Sequence, residues 1–299
     1  MTYYSIYRSQ SEQLAEQLET DGDYRVLRRL PRREEIWLRS MPISAPEAST
    51  VIGVIDTETT GLDCERNQMV ELALVKLTIC NNTGDLLDIS PPHSWLEDPG
   101  EPLTPEIEAL TGLTDADLQG QKFADQQIRK AISDVDVIVA HNASFDLGFL
   151  NARFPGLSKP FACSLNEIDW QAHGLGSGRS IGGLLTEAGH FPEQAHRAGP
   201  DAWALSCLLI RPGAERRTIA WHLLNRARRP TARVYAAKAP YALKDTLKAT
   251  GYRWSARHGA WAMEGEPERI ANEVAWLTGL HPAVQPRVVS IDWHNRHVA

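Results

Sequence analysis

The sequence is poor in cysteine and has no cysteine pair. Cys64, Cys80, Cys163 and Cys207 are the only four in 299 residues, and no two of them form a C-x-x-C. This spacing argues against a disulfide framework and against a zinc site, and it fits a reducing cytoplasm. No run of eighteen apolar residues occurs, so neither a spanning helix nor a membrane partner is expected. The opening MTYYSIYRSQ lacks the basic-then-apolar order of a signal peptide. Internal repeats and low-complexity tracts are absent too. What remains is a soluble globular chain, long enough for one medium domain with additions.

A surplus of positive charge is also missing, since the formal net charge is −7. Its distribution is uneven. Residues 49–212 hold 10 Lys and Arg against 23 Asp and Glu, whereas residues 213–299 hold 14 against 7. The first block suits cations and the second suits phosphates, although solvated faces would give the same counts.

Residues 1–48 read as an N-terminal appendage: a helix over Ser11–Thr20, a strand over Tyr24–Leu30, and a linker marked by Pro42 and Pro46. The apolar run VIGVI at Val51–Ile55 opens a new segment as a strand buried on both faces. Strands are expected at Met69–Cys80, Leu86–Trp95, Val135–Ala140 and Phe161–Leu165. Helices are expected from Pro105 and over Lys122–Ser133, Ser144–Phe154, Ile181–Ala188 and Pro200–Ile210. That order predicts an α/β fold with a mixed sheet flanked by helices over residues 49–212. A basic connector at 213–230 then leads to a small basic α+β module at 231–299.

Three short segments carry the chemistry. Asp56-Thr57-Glu58 follows VIGVI, and residues i and i+2 of a strand point to one side, so the two carboxylates converge. His141-Asn142-Ala143-Ser144-Phe145-Asp146 follows the apolar run at 135–140 and puts Asp146 in the first turn of a helix, where the dipole tolerates a carboxylate. His196-Arg197-Ala198-Gly199-Pro200-Asp201 repeats that arrangement, with Pro200 at the first helical position and His196 on the loop before it. Singly, each reads equally as surface acids or helix-start chemistry.

Together the motifs DTETTGL at 56–62, HNASFD at 141–146 and HRAGPDA at 196–202 resemble those of the DEDDh 3′–5′ exonucleases. That family takes in the proofreading epsilon subunit of bacterial DNA polymerase III, ribonuclease T and oligoribonuclease. VELALVKL at 70–77 resembles the family's second strand, and LTGLTDADL at 110–118 its loop and helix after the third. The third motif departs from the family at Gly199-Pro200, with the His-to-Asp spacing intact.

The resemblance implies a ribonuclease-H-like fold over 49–212. It implies that Asp56, Glu58, Asp146 and Asp201 bind two divalent cations, Mg²⁺ or Mn²⁺, with His196 as general base. Hard oxygen donors suit those ions, and two of them can clamp the attacking and leaving oxygens of a phosphodiester. The expected reaction removes nucleoside 5′-monophosphates from nucleic-acid 3′ ends, on DNA in preference to RNA, with a DNA polymerase or repair complex as partner. The backbone at Thr59, Gly61 and Leu62 is expected to cradle the terminal nucleotide, and Phe145 to stack on a base, though core packing would explain these residues equally. In the module, Arg253, Trp254 and Trp261 mix basic and aromatic groups as single-strand platforms do; a small tryptophan core with a basic rim is the alternative. An exoribonuclease, and a non-catalytic nucleic-acid or polymerase-binding scaffold, stay open. No clamp-binding peptide is legible after residue 212.

Overall fold

The computed structural model describes residues 10–36, 48–176, 178–192, 194 and 196–298. They form two compact units divided between Arg226 and Ala227, inside the expected connector. Pro42 and Pro46 lie outside the described residues.

In the first unit, α1 (Gln10–Asp21) and the two-residue β1 (Arg28–Arg29) precede a six-stranded sheet. Its strands are β2 (Ser49–Thr59), β3 (Met69–Cys80), β4 (Leu86–Ile89), β5 (His93–Leu96), β6 (Val137–Ala140) and β7 (Phe161–Cys163). The order is β4-β3-β2-β6-β7, with β5 also paired to β3. β2 runs antiparallel to β3 and parallel to β6, so the sheet is mixed as expected. The expected strand over Leu86–Trp95 is two strands. Pro91 and Pro92 fall in its middle and have no N–H to donate to a ladder, so β4 and β5 pair with different stretches of β3. The strand expected over Tyr24–Leu30 shrinks to β1, which pairs in parallel with β8 (His190–Phe191).

The further helices of this unit are α2 (Pro105–Thr111), α3 (Asp115–Leu118), α4 (Asp125–Ser133), α5 (Ala143–Arg153), α6 (Ile181–Glu187) and α7 (Ala198–Leu209), and α8 (Ile219–Arg228) runs across the division between the units. α4 and α5 cover one sheet face, where Ile55, Leu72, Leu74 and Ile138 meet Ile128, Ile132, Leu147 and Leu150. α7 packs against β2 and β3. Its Ala202 and the whole run Ala204–Leu209 are buried, as a helix enclosed on nearly all sides requires. α7 starts at Ala198, two residues before the expected Pro200. Pro200 is tolerated there because the first N–H groups of a helix have no internal partner. No helix among the described residues is long and apolar enough to cross a membrane, and all four cysteines are free thiols.

The second unit is a four-stranded antiparallel sheet, order β10-β11-β9-β12, made of β9 (Thr231–Ala237), β10 (Arg253–Ser255), β11 (Ala260–Gly265) and β12 (Gln285–Ile291). Helices α9 (Lys244–Ala249) and α10 (Pro267–Leu280) supply Leu247, Ile270 and Leu277 to its apolar core. β12 was not expected from the sequence. Pro286 interrupts its pattern and is accommodated because β12 is an edge strand.

Candidate active site

Asp56 and Glu58 lie near the end of β2 and, by strand alternation, on the side opposite Ile55. Thr57 between them points the other way, and its hydroxyl donates to Asp146 Oδ1 at 2.9 Å. Asp201 enters from the first turn of α7. Carboxylate oxygens of Asp56, Glu58 and Asp201 all lie within 4.8 Å of one another. Asp146, in the first turn of α5 and buried, stands outside this ring but close enough for its charge to raise the pKa of Asp56.

Such a ring is unfavourable by itself. At 4.8 Å a carboxylate pair repels by on the order of 3 kcal/mol at an effective dielectric of about 20, whereas a helix N-terminus returns only about 0.3–1 kcal/mol. The ionisation behaviour follows. Burial, then the charges of Asp146, Asp201 and Glu58, raise Asp56 well above the ordinary carboxylate range. Burial, then Asp201 and Glu71, push Glu58 up to about 8. Burial pushes Asp146 up to about 7 against the Thr57 hydrogen bond, and raises Asp201 against the N–H of His196. An all-carboxylate donor set with so little local countercharge fits a hard divalent cation.

His196 holds a left-handed backbone with φ of 60°, uncommon for a residue with a side chain. Its N–H donates to Asp201 Oδ2 at 2.9 Å, and its imidazole is exposed. The loop is thereby folded back onto the carboxylate that it precedes. His141, the histidine of the middle motif, is committed elsewhere: its ring nitrogens lie 2.9 Å from Ser164 Oγ and 2.6 Å from Arg179 O.

Sequence reasoning missed Glu71. It sits on β3, is only 1% exposed, and pairs with Arg197, whose Nε lies 3.0 Å from Oε2. The same oxygen accepts the Ala198 N–H at 3.2 Å. The residue after His196 and the first residue of α7 are thus both fixed to the central sheet. A glutamate inside the apolar run VELALVKL was the available signal, because a buried carboxylate needs a cation. The departure at Gly199 also has a cause. A Cβ there would stand 2.7 Å from Ser94 Oγ, so with glycine the first turn of α7 approaches β5 without displacing that hydroxyl.

Around the ring, Thr59 Oγ1 donates to Gly61 O at 2.6 Å, and a Cβ on Gly61 would meet the Asn67 side chain at 2.6 Å. Leu62 is 87% exposed, an apolar side chain held in water four residues after Glu58. Phe145 is partly buried and packs on Phe149, ring centroids 5.0 Å apart. In the second unit, Trp254 and Trp261 are cross-strand partners with centroids 5.8 Å apart, whereas Arg253 pairs with Ala262 and points to the other face. The two tryptophans therefore come together without Arg253.

The exonuclease (RNase_T) family model matches residues 54–206, half of the chain. A protein of Streptococcus suis named DNA polymerase III PolC-type is 34% identical over 188 residues, 57% of this chain and 12% of that protein. Its namesake in Halalkalibacterium halodurans is 45% identical over 103 residues, 34% of this chain and 7% of that protein. The chain thus spans only a small part of the length of these relatives. Among solved structures, the zinc-bound form of the E. coli ExoI–ssDNA complex superposes with a TM-score of 0.50 at 12% identity, covering 77% of this chain and 68% of that one. This likeness concerns the fold, which is ribonuclease-H-like.

Proposed function

Because the chain belongs to the exonuclease (RNase_T) family, of the DEDD 3′–5′ type, we propose that it hydrolyses phosphodiesters at DNA 3′ ends and releases nucleoside 5′-monophosphates. The observation that carries this reading is the ring of Asp56, Glu58 and Asp201 with the His196 backbone tied to one of its members. Asp56, Glu58, Asp146 and Asp201 would hold two divalent cations, Mg²⁺ or Mn²⁺, the first, second and last of them forming the ring. Bound there, the two ions supply the positive charge that activates a water and neutralises the departing 3′ oxygen.

The chain's own groups do the rest. His196 takes the proton of the attacking water as its oxygen bonds to phosphorus and the P–O3′ bond breaks. The departing 3′ oxygen takes a proton from solvent, and the shortened strand leaves with a new 3′ hydroxyl. Thr59 and Gly61 present backbone to the terminal nucleotide, Leu62 wedges against its base, and Phe145 offers a ring edge for stacking. Arg197 holds the His196 loop through Glu71.

Residues 49–212 form the catalytic domain in this reading, 213–230 a connector, and 231–299 a strand-holding module whose Arg253 lies on one face of its sheet and whose Trp254 and Trp261 lie on the other. The similarity to polymerase III chains supports a proofreading or repair role beside a DNA polymerase.

The test is digestion of end-labelled DNA and RNA oligonucleotides with and without Mg²⁺. A 3′ label should leave at once as a mononucleotide, and a bulky 3′ block should slow cutting far more than a 5′ block. Equal sensitivity to both blocks sinks the reading, and faster RNA digestion moves it to an exoribonuclease.

A further inference from the structure

The sheet of the second unit has two unlike faces. Ala232, Val234, Ala236 and Met263 turn one face to the helices. On the other face a single cross-strand row reads Arg253, Ala262, Tyr235, Arg287, one residue from each of β10, β11, β9 and β12. The two arginines occupy the two edge strands and are exposed. The alanine between them is small. Tyr235 is buried between the Arg287 guanidinium, 4.8 Å from its ring centre, and the His258 ring at 4.5 Å. His258 Nδ1 lies 3.0 Å from Ser255 Oγ, which fixes the β10–β11 turn and with it the exposed Arg257.

The charge of this face is not compensated. Glu264 is the only carboxylate on the four strands, and Arg233 and Arg296 take it up at 2.7 and 3.3 Å. Arg253, Arg257 and Arg287 have no carboxylate partner among the described residues. Desolvation, then the charges of Arg287, Arg257 and Arg233, hold His258 below its ordinary pKa, so these cations reach one spot on the surface.

The spacing selects the ligand. Three strand intervals separate Arg253 from Arg287, on the order of 14 Å, too far for one phosphate and suited to a run of them. Guanidinium groups match phosphate oxygens, and a basic surface tracking the backbone is how strands are held without sequence preference. We infer that this face binds the backbone of a nucleic-acid single strand, with Arg253, Arg257 and Arg287 on separate phosphates. The inference rests on the exonuclease reading only for the choice of polymer. The two tryptophans lie on the opposite face and are not part of this track.

The experiment is fluorescence anisotropy of the full chain with a labelled oligonucleotide of about 16 nucleotides, in EDTA, across a salt series. The pair Arg253→Ala with Arg287→Ala should weaken binding roughly tenfold at low salt. It should also lower the slope of log Kd against log salt by about 1.4, near 0.7 for each single-strand phosphate that no longer meets an arginine. Arg253→Ala alone, at an exposed and unpaired position, should give half the slope change with an unaltered thermal midpoint, which keeps the test intact if removal of the Arg287 side chain disturbs Tyr235. An unchanged slope in both variants, or equal competition by polyglutamate of the same charge, overturns the inference. Binding without cleavage defeats the exonuclease reading and leaves this one standing; cleavage with no slope change does the reverse.

Discussion

Glu58 and Glu71 sit directly opposite each other in the β2–β3 register, and their surroundings separate them completely. Glu58 faces the acids and is pushed up to about 8, whereas Glu71 has a guanidinium at 3.0 Å. Two like charges across a ladder destabilise it, and Arg197 relieves that while holding the His196 loop. Glu71→Gln should therefore cost on the order of 2–3 kcal/mol, less than a fully buried pair because Arg197 is partly exposed, and should lower kcat with KM nearly unchanged. The double variant Glu71→Leu with Arg197→Leu should recover stability without recovering kcat. Recovery of both in thermal melts and steady-state kinetics would reduce the pair to packing.

The acids set a pH dependence of defined sign. Glu58 at about 8 and Asp146 at about 7 lie above their unfolded values, so the folded protein binds more protons through the neutral range. That contribution is complete below the unfolded carboxylate range and is lost as pH rises through roughly 7 to 8. Melting in EDTA should show falling stability across this window, and saturating Mg²⁺ should restore it on the alkaline side. Asp56→Asn should raise the melting temperature in EDTA at alkaline pH while abolishing cleavage. A flat EDTA profile would mean that the carboxylates are not pressed together in solution.

His196→Ala should lower kcat by about 10²–10⁴-fold, the usual worth of a positioned general base. Cation affinity should change little, since the contact between His196 and the acids runs through its backbone N–H. Restoration of the rate by excess Mn²⁺ would instead make the imidazole a ligand.

Gly199→Ala should destabilise the protein by about 1–3 kcal/mol, because the new Cβ meets Ser94 Oγ at 2.7 Å. Ser94→Gly in the same chain removes that oxygen and should return most of the stability. Failure of the second substitution to rescue the melting temperature would place the strain elsewhere.

Much of the site was legible because its acids announce themselves locally. Asp56 and Glu58 end an apolar run, and Asp146 and Asp201 open helices, so each position follows from its immediate neighbours. Glu71 escaped because its meaning lies in Arg197, 126 residues away. The same holds for Gly199 in α7, whose close neighbour is a hydroxyl on β5. Pro91 and Pro92 were in plain view but were outweighed by the apolar residues around them, so one strand was expected where two exist. Arg253 and Trp254 were grouped by composition, although adjacent strand residues point apart. Alternation alone would have assigned them to different surfaces.

The loop bearing His196 is tethered at both ends to chain made long before it. Upstream, Arg28 and Arg29 pair with β8, and the Arg25 guanidinium holds the carbonyls of Thr186 and Glu187, the latter 162 residues away. Downstream, Arg197 returns to β3. Contacts so distant in sequence form late, because a long loop must close before they repay it. During synthesis Asp56 and Glu58 emerge early, but His196 has no fixed position until α7 has docked. On the proposed reaction, a growing chain would thus carry two of the four acids before the histidine is in place. In refolding, Mn²⁺ binding should return before cleavage does; simultaneous recovery of the two would mean that the loop and the acids assemble as one unit.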